Sequence, residues 1–378
     1  MPQKYLFKSQ QFDAIPLPLI QEKKNKQWID FGSNNLYPDL LIELYNNSAM
    51  HRTACEAKTD AVVGEGFRLF GDEFINSKQE TIDEIFAKIT TDYVLFGGYA
   101  LNIIWSRDGE TIADLFHLPF NNVRTGAMNE NDEIEEYYYS PQWANYRKYR
   151  PEAYKAYSGT DNKGDDANQV FYYYDYTVGN SYYPLPQYVA AINDIDTDSR
   201  ISKFHRSNLQ NGLAPSMMLT FKNGIPTADE QGEIWRDIEK TFASESNAGK
   251  FFVNFSEPGR EPTLEPIQNV NDTYYIELEA RVSSRILTSH RISSPLLLGI
   301  KDAAGFSNNA EEIQTAYNHF MGTVIVPMQK TLVKSFNKII NQTGRTVKLE
   351  VEPAQILYTV NVENVPQDIS EPTVNINE

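Results

Sequence analysis

A long amphipathic pattern in the C-terminal third of the chain constrains the fold most. Asn308 can cap its first turn, and Glu311 can complete a capping box. Apolar residues then recur every three or four positions, which places them on one helical face. They are Ile313, Ala316, Tyr317, Phe320, Val324, Met328, Leu332, Phe336 and Ile339. About thirty such residues predict a helix of roughly 45 Å. Pro327 lacks an N–H, so we predict a kink between Val324 and Met328.

The rest of the chain mixes helical and strand patterns, which predicts an α+β fold. One helix is predicted from Pro38 to Val63, before Gly64, and a second from Thr81 to Leu95. Asp108-Gly109 lies between two apolar runs and predicts a hairpin. Further strands are predicted at 134–139, 169–176, 217–221, 251–255, 346–352 and 355–361, and an extended stretch at 293–300.

Composition indicates a protein outside the membrane with room for more than one packed unit. A length of 378 residues allows two or three such units. No apolar run approaches the roughly 18 residues that span a bilayer, and the N-terminus lacks a signal-peptide pattern. We therefore expect no membrane partner.

No known catalytic or metal-binding motif is present in the sequence. A phosphate-binding Gly-x-x-x-x-Gly-Lys-Ser/Thr loop, Gly-x-Ser-x-Gly and His-Glu-x-x-His are all missing. The five histidines are scattered and have no motif partners. They are His51, His117, His205, His290 and His319. We therefore predict no catalytic residue, no cofactor and no metal.

Three further features have structural interpretations. Cys55 is the single cysteine, which excludes an intrachain disulfide and a cysteine zinc cluster, and its alanine-rich surroundings predict a buried thiol. Asp194, Asp196 and Asp198 are spaced like the start of a calcium loop. The match fails because Ser199 and His205 stand where that loop needs Gly and Glu. Tyrosines near 137–139 and 172–176 predict cross-strand packing or a subunit contact rather than base stacking, because acidic residues accompany them.

The order and spacing of several short motifs resemble the compact form of tailed-bacteriophage portal proteins. Each motif consists of a few common residues, but together they cover most of residues 35 to 345. They are 35–38 (Asn-Leu-Tyr-Pro), 64–67 (Gly-Glu-Gly-Phe), 96–100 (Phe-Gly-Gly-Tyr-Ala), 208–215 (Asn-Leu-Gln-Asn-Gly-Leu-Ala-Pro), 247–250 (Asn-Ala-Gly-Lys) and 295–300 (Pro-Leu-Leu-Leu-Gly-Ile).

The resemblance implies a portal-like α+β architecture: an α/β wing, two stem helices, a small α/β clip and one long kinked spine helix. The implied segments are a wing (1–185), stem helix 1 (186–213), a clip (214–268) with a helix through Trp235, stem helix 2 (269–293), a tunnel loop (294–308), a spine helix (309–343), C-terminal wing strands (344–363) and a flexible tail (364–378). These boundaries follow the family pattern.

The resemblance also implies a function and partners. Portal proteins form a homo-oligomeric ring, a dodecamer, at a capsid vertex in the virion, after synthesis in the bacterial host cytoplasm. Double-stranded DNA passes through the ring without sequence specificity. The implied partners are the terminase large subunit, then a head–tail connector, and the major capsid protein.

Candidate DNA-contacting residues follow from this assignment. The tunnel-loop candidates are Lys301, Asp302, Gly305, Phe306 and Asn308. The stem candidates are Lys203, His205, Arg206, Arg281, Arg285 and Arg291. Solvated helix faces or ion pairs between subunits are equally good interpretations of any single stem residue.

The net charge of −17 bears on whether the protein is a DNA-reading protein or a DNA conduit. A DNA-reading protein clusters Lys and Arg against phosphates and is usually basic. A conduit must let DNA slide, and an acidic or mixed lumen keeps it mobile, so the charge disfavours a DNA reader and is compatible with a channel. A carboxylate-pair hydrolase is the alternative, because 51 acidic residues offer many possible pairs.

Overall fold

The chain's computed structural model describes residues 26–159, 167–210, 217–221, 251–255, 263–266, 272–300 and 310–353, together with Ile15, Pro18, Thr227, 229–234 and Arg236. Five sequence predictions lie outside these residues. They are the Asn308 cap of the spine helix, the five tunnel-loop candidates in 301–308, the clip residue Trp235, the strand at 355–361 and the tail at 364–378.

Two N-terminal helices replace the single predicted one. They are α1 (Tyr37–Asn47) and α2 (Ala49–Val63). Ser48 separates them with an extended backbone (φ −107°, ψ 113°), and its Oγ accepts a hydrogen bond from His51 N at 3.2 Å. The prediction of one helix from Pro38 to Val63 is therefore wrong, because Ser48 serves as the N-cap of α2.

The next helix, α3 (Ile82–Phe96), confirms the second helical prediction. Thr81 Oγ1 accepts from Glu84 N at 3.2 Å, and Glu84 Oε2 accepts from Thr81 N at 3.0 Å, so a capping box begins the helix. Gly97 ends it in the left-handed conformation (φ 85°). The buried face of α3 packs on the sheet that follows.

A six-stranded sheet forms the centre of the predicted wing. Its strands are β1 (Gly98–Trp105), β2 (Ile112–Leu118), β3 (Val123–Thr125), β4 (Glu136–Tyr139), β5 (Glu152–Ala156) and β6 (Asn168–Tyr174). Their order is β2-β1-β6-β5-β4-β3, and β5–β6 is the one parallel pairing in it. The predicted Asp108-Gly109 hairpin joins β1 to β2. Tyr99 on β1 and Tyr173 on β6 are register partners whose rings stack at 5.3 Å, which supports cross-strand packing.

Two helices lead to and from a small second sheet. They are α4 (Ile192–Gln210) and α5 (Asp272–Ser289), at the predicted positions of the two stem helices. Between them lie β7 (Met217–Phe221), β8 (Phe251–Phe255) and β9 (Thr263–Pro266), in the order β8-β7-β9. The first two were predicted, whereas the sequence analysis missed β9. Among the described helices, none is long and apolar enough to cross a bilayer.

The predicted extended stretch at 293–300 is instead a short helical turn. Pro295–Leu298 forms a 3-10 helix, and Ser294 Oγ accepts from Leu296 N at 3.3 Å. Gly299 follows in the left-handed conformation (φ 71°). The extended prediction is wrong because Ser294 caps a turn that Pro295 can begin without an N–H.

The spine is helical throughout its described part and irregular at the predicted place. It consists of α6 (Ala310–Phe320), a π-helical turn (Met321–Ile325) and α7 (Val326–Ile340). Pro327 cannot donate to the Thr323 carbonyl, and Arg291 Nη2 donates to that oxygen at 3.1 Å. The distortion therefore lies just N-terminal to the proline.

The C-terminal half of the spine belongs to the core of the wing. The Phe336 ring on α7 lies 5.7 Å from that of Phe86 on α3, and both side chains are fully buried. Tyr99 Oη donates to Ser335 Oγ at 2.7 Å, which connects α7 to the sheet. These contacts join residues more than 200 positions apart in the chain.

The segment after the spine returns to the N-terminal helices. Glu65 N donates to Glu352 O, and Glu352 N donates to Gly66 O, both at 2.8 Å. Val351 forms an isolated bridge with Phe67. The strand predicted at 346–352 is therefore reduced to a single bridge, although the chain does pack beside the wing.

Candidate functional site

The helices α4 and α5, to which we give the label stem after the predicted segments, form an antiparallel pair. Arg285 Nη1, near the end of α5, lies 3.3 Å from Asp194 Oδ1 at the start of α4. The rings of Phe204 and Tyr275, at the opposite ends of the two helices, stack at 5.3 Å. Since later residues of α4 meet earlier residues of α5, the two helices run in opposite directions.

The two ends of this pair differ in burial. At the wing end, Ile195 and Ile286 are fully buried. At the far end, the exposed fraction is 66% for Ile276 and 41% for Phe204. Large apolar side chains therefore lie in solvent on the part of the stem that is farthest from the core.

Four of the six stem candidates have exposed side chains and form no ion pair among those found in the described residues. Lys203 and Arg206 are three positions apart on one face of α4, whereas His205 lies on another face beside the ring of Tyr275. Arg281 is exposed on α5. These positions agree with solvent-facing charges, and contact with DNA stays a prediction.

The other two candidates are engaged within the chain. Arg285 pairs with Asp194, and Arg291 binds the Thr323 carbonyl at the spine distortion. Arg291 itself has a left-handed backbone (φ 59°). The structure thus gives Arg291 an intramolecular role that the sequence analysis did not foresee.

The acidic residues of α4 all contact protein groups. Asp196 Oδ2 lies 2.6 Å from Arg200 Nε, and Ser48 Oγ donates to Asp198 Oδ2 at 2.6 Å. Asp194 lies in the first turn of the helix and pairs with Arg285. Carboxylates there suit the positive end of the helix dipole, as predicted.

A buried polar cluster that the sequence analysis missed lies where α2 meets the end of α5. His51 Nδ1 lies 2.9 Å from His290 Nε2, and Cys55 Sγ lies 3.7 Å from His51 Nδ1. The Tyr188 ring packs on both imidazoles, with centroid distances of 4.3 and 5.2 Å. Lys58 lies one helical turn beyond Cys55 and is also buried. We name His51, Cys55 and His290 the His–Cys–His cluster.

Burial shifts the protonation of these groups towards their neutral forms. It lowers the pKa of His51 to about 3 and that of His290 well below its usual value, with Lys58 adding to both shifts. It also raises the pKa of Cys55 to about 12 and lowers that of Lys58 to about 8. The predicted burial of Cys55 is confirmed, and its neighbours make the environment polar.

The part of this cluster that lies on α2 could have been predicted from the sequence. Positions 51, 55 and 58 recur at helical spacing and therefore share one face of α2. His290 comes from a helix more than 200 residues away. Tertiary contact alone brings it to His51, which is why the histidines looked unconnected in the sequence.

A cavity beside α1 bears on the hydrolase alternative. It has a volume of about 440 Å³, and Asp39 and Glu43 line it together with the loop at 32–36. Burial raises the pKa of Asp39, while Arg124 acts in the opposite direction. The cavity thus contains one carboxyl group with altered acidity and a second one turn away.

Comparison of sequences finds no relatives, since no protein-family model and no curated protein sequence matches the chain. Comparison of structures does find chains with a similar fold. A chain in the neck of the native gene transfer agent (GTA) particle, computed with C12 symmetry, matches with a TM-score of 0.55 at 16% identity, covering 87% of this chain and 84% of that chain. A chain in the virion of the native GTA particle matches over the same shares with a TM-score of 0.54 at 16% identity.

A weaker likeness is to an HK97 family phage portal protein from Corynebacterium diphtheriae. Its TM-score is 0.47 at 9% identity, with 80% of this chain and 89% of that chain covered. At 16% identity, the likeness to the GTA chains establishes a common fold across most of the sequence. The chain therefore shares its fold with these GTA neck and virion chains.

Proposed function

We propose that the chain is the subunit of a portal ring through which double-stranded DNA enters and leaves a phage-type capsid. The observation that carries this proposal is the fold shared over 87% of the chain with a neck protein in a particle computed with C12 symmetry. A head-to-tail interface that repeats around an axis closes a ring and leaves a central channel. Twelve copies would form the ring proposed here.

The exposed stem supports a place at the centre of such a ring. Ile276 and Phe204 need cover that the single chain does not provide, and a neighbouring stem can supply it. Lys203, Arg206 and Arg281 offer sparse positive charges on an acidic protein. Sparse contacts of this kind can hold DNA loosely, whereas a dense basic surface would retain it.

The proposed partners follow from this position. The ring would lie at a capsid vertex among major capsid proteins, and its clip would face the terminase large subunit during packaging and a head–tail connector afterwards. Its role would be geometric, and we assign it no catalytic residue and no cofactor.

Measurement of mass in solution tests the ring. The chain has a mass of 43.2 kDa, so a dodecamer has a mass of about 520 kDa. Mass photometry of the purified protein is expected to show that species. A single species at the monomer mass at all protein concentrations would contradict assembly by the chain alone.

A packaging assay tests the tunnel-loop assignment. Gly305→Pro and Phe306→Glu are expected to leave ring mass unchanged and to reduce the amount of packaged DNA. Phe74→Glu is a matched control, because this aromatic residue is 59% exposed and lies outside the predicted loop. Normal packaging by both loop variants would overturn the tunnel-loop assignment while leaving the ring intact.

The carboxylate-pair hydrolase is the second candidate, favoured by the raised pKa of Asp39 beside the cavity at α1. This hypothesis requires that the monomer has hydrolase activity and that the Asp39→Asn variant loses that activity. A ring whose assembly and packaging are unaffected by Asp39→Asn would favour the portal instead.

A further inference from the structure

The His–Cys–His cluster brings together three side chains that are good ligands for transition metals. His51 and Cys55 are one turn apart on α2, and His290 directly follows α5. The exposed fraction is zero for both histidines and 3% for Cys55. Their ligand atoms all lie within 4.8 Å of one another.

Two of the three distances between ligand atoms can be compared with those of a tetrahedral zinc site. Zinc–nitrogen bonds of about 2.05 Å and zinc–sulfur bonds of about 2.3 Å place two nitrogens about 3.4 Å apart and nitrogen and sulfur about 3.6 Å apart. The distance between Cys55 Sγ and His51 Nδ1 is 3.7 Å, and that between His51 Nδ1 and His290 Nε2 is 2.9 Å. A small separation of the two imidazoles would admit an ion between them.

Hydrogen bonding alone does not account for the burial of His290. Its Nε2 faces His51, but its Nδ1 has no partner among the described residues. Buried polar groups are normally paired, so an imidazole in this setting needs a further reason. Coordination through Nε2 would fix the ring but would not pair Nδ1, which in metal sites usually donates its N–H to a carboxylate, a carbonyl or a water.

We propose that His51, Cys55 and His290 bind one zinc-class transition-metal ion at the junction of α2 and α5. Thiolate and imidazole ligands select Zn²⁺ over Ca²⁺ or Mg²⁺, which take oxygen ligands. Three protein ligands leave a fourth position for water. Lys58 is buried beside the cluster and repels a cation, so the metal–ligand bonds must outweigh that repulsion and displace the thiol proton of Cys55.

Such an ion would fasten the stem to the wing. It would join α2 of the helical layer to the end of α5, one residue before Arg291 and its contact at the spine distortion. The proposal contradicts the sequence-based prediction of no metal, which assumed that the histidines were isolated. It does not depend on ring formation or on DNA.

Cobalt substitution tests the site in the full-length protein. After removal of metal with a chelator, the protein is titrated with Co²⁺ and its near-ultraviolet absorption is recorded. Cys55 is the single cysteine, so a thiolate-to-cobalt band can come only from this residue. We expect one Co²⁺ per chain, displacement by Zn²⁺ and a higher melting temperature with metal.

Variants separate this site from surface binding. Cys55→Ser is expected to abolish the thiolate band, and His290→Gln to lower Co²⁺ affinity at least tenfold. His205→Gln is the matched control, because this histidine is exposed on α4. Absence of the band from folded wild-type protein would overturn the proposal, even if the cluster variants did not fold. Equal affinity in folded wild type and His290→Gln would also overturn it.

Discussion

The wing and the outer stem, which is the end of the α4–α5 pair far from the wing, bury their apolar side chains to different extents. In the wing, Phe86 and Phe336 come from distant helices and are completely buried against each other. At the end of the stem far from the wing, Ile276 is largely exposed and Phe204 is partly exposed. The wing thus contains its own core, whereas the outer stem lacks one within the single chain. In the proposed ring, neighbouring stems complete it.

The largest effect on stability is expected in the wing. Phe336→Ala removes a fully buried aromatic ring and should lower the free energy of unfolding by about 3–5 kcal/mol. Ile276→Ala in the stem should change it by less than about 0.5 kcal/mol when the chain is monomeric. Urea denaturation followed by circular dichroism measures both. Equal losses in the two variants would remove the contrast between these regions.

A substitution on the exposed surface of the stem should reduce ring assembly and leave the stability of the monomer unchanged. Ile276→Glu places a charge on the exposed apolar surface, and we expect at least a tenfold smaller fraction of rings by mass photometry, with unchanged monomer stability. Ile276→Leu is the matched control and should assemble normally. Rings that form equally well with Glu would show that this surface is not a subunit contact.

A smaller effect on stability is expected at the first turn of α3. Thr81→Ala removes the side-chain cap and should cost about 1 kcal/mol. Thr91→Ala within the same helix is the control, because the Thr91 hydroxyl donates to the Ala87 carbonyl and caps no free N–H. The comparison of the two urea midpoints decides whether this capping box stabilises the wing.

The smallest effect is expected where the stem meets the spine. Arg291→Ala removes the hydrogen bond to the Thr323 carbonyl, and because the site is exposed we expect a loss below about 1 kcal/mol. Arg281→Ala, at an exposed position on α5, should leave stability unchanged. If both variants bound DNA normally while only Arg291→Ala were destabilised, Arg291 would be a structural residue.

Patterns with local causes could be predicted from the sequence. The spine face, the helix beginning near Thr81 and the Asp108-Gly109 hairpin each depend on residues a few positions apart, and the structure contains all three. Ser48 was misread because the apolar spacing continues on both sides of it. Pro327 predicted a distortion nearby but not the exact position of the π-helical turn. That position involves the hydrogen bond from Arg291 to the Thr323 carbonyl, and Arg291 comes from another part of the chain.

The candidate site was less predictable. The family resemblance predicted helices at the positions of α4 and α5, but the partners of their side chains depend on the antiparallel pairing that brings Arg285 to Asp194. The contact between His51 and His290 crosses more than 200 residues, and no local pattern encodes it. Residues 301–308, which carry the tunnel-loop prediction, lie outside the described structure and stay a prediction from motif order alone.

Negative-stain electron microscopy of the purified protein, with class averages viewed down the symmetry axis, tests the central claim most directly. The account predicts closed rings of twelve subunits with a stain-filled centre wide enough for duplex DNA. Uniform single-chain particles at every concentration, with or without capsid and connector proteins, would contradict it.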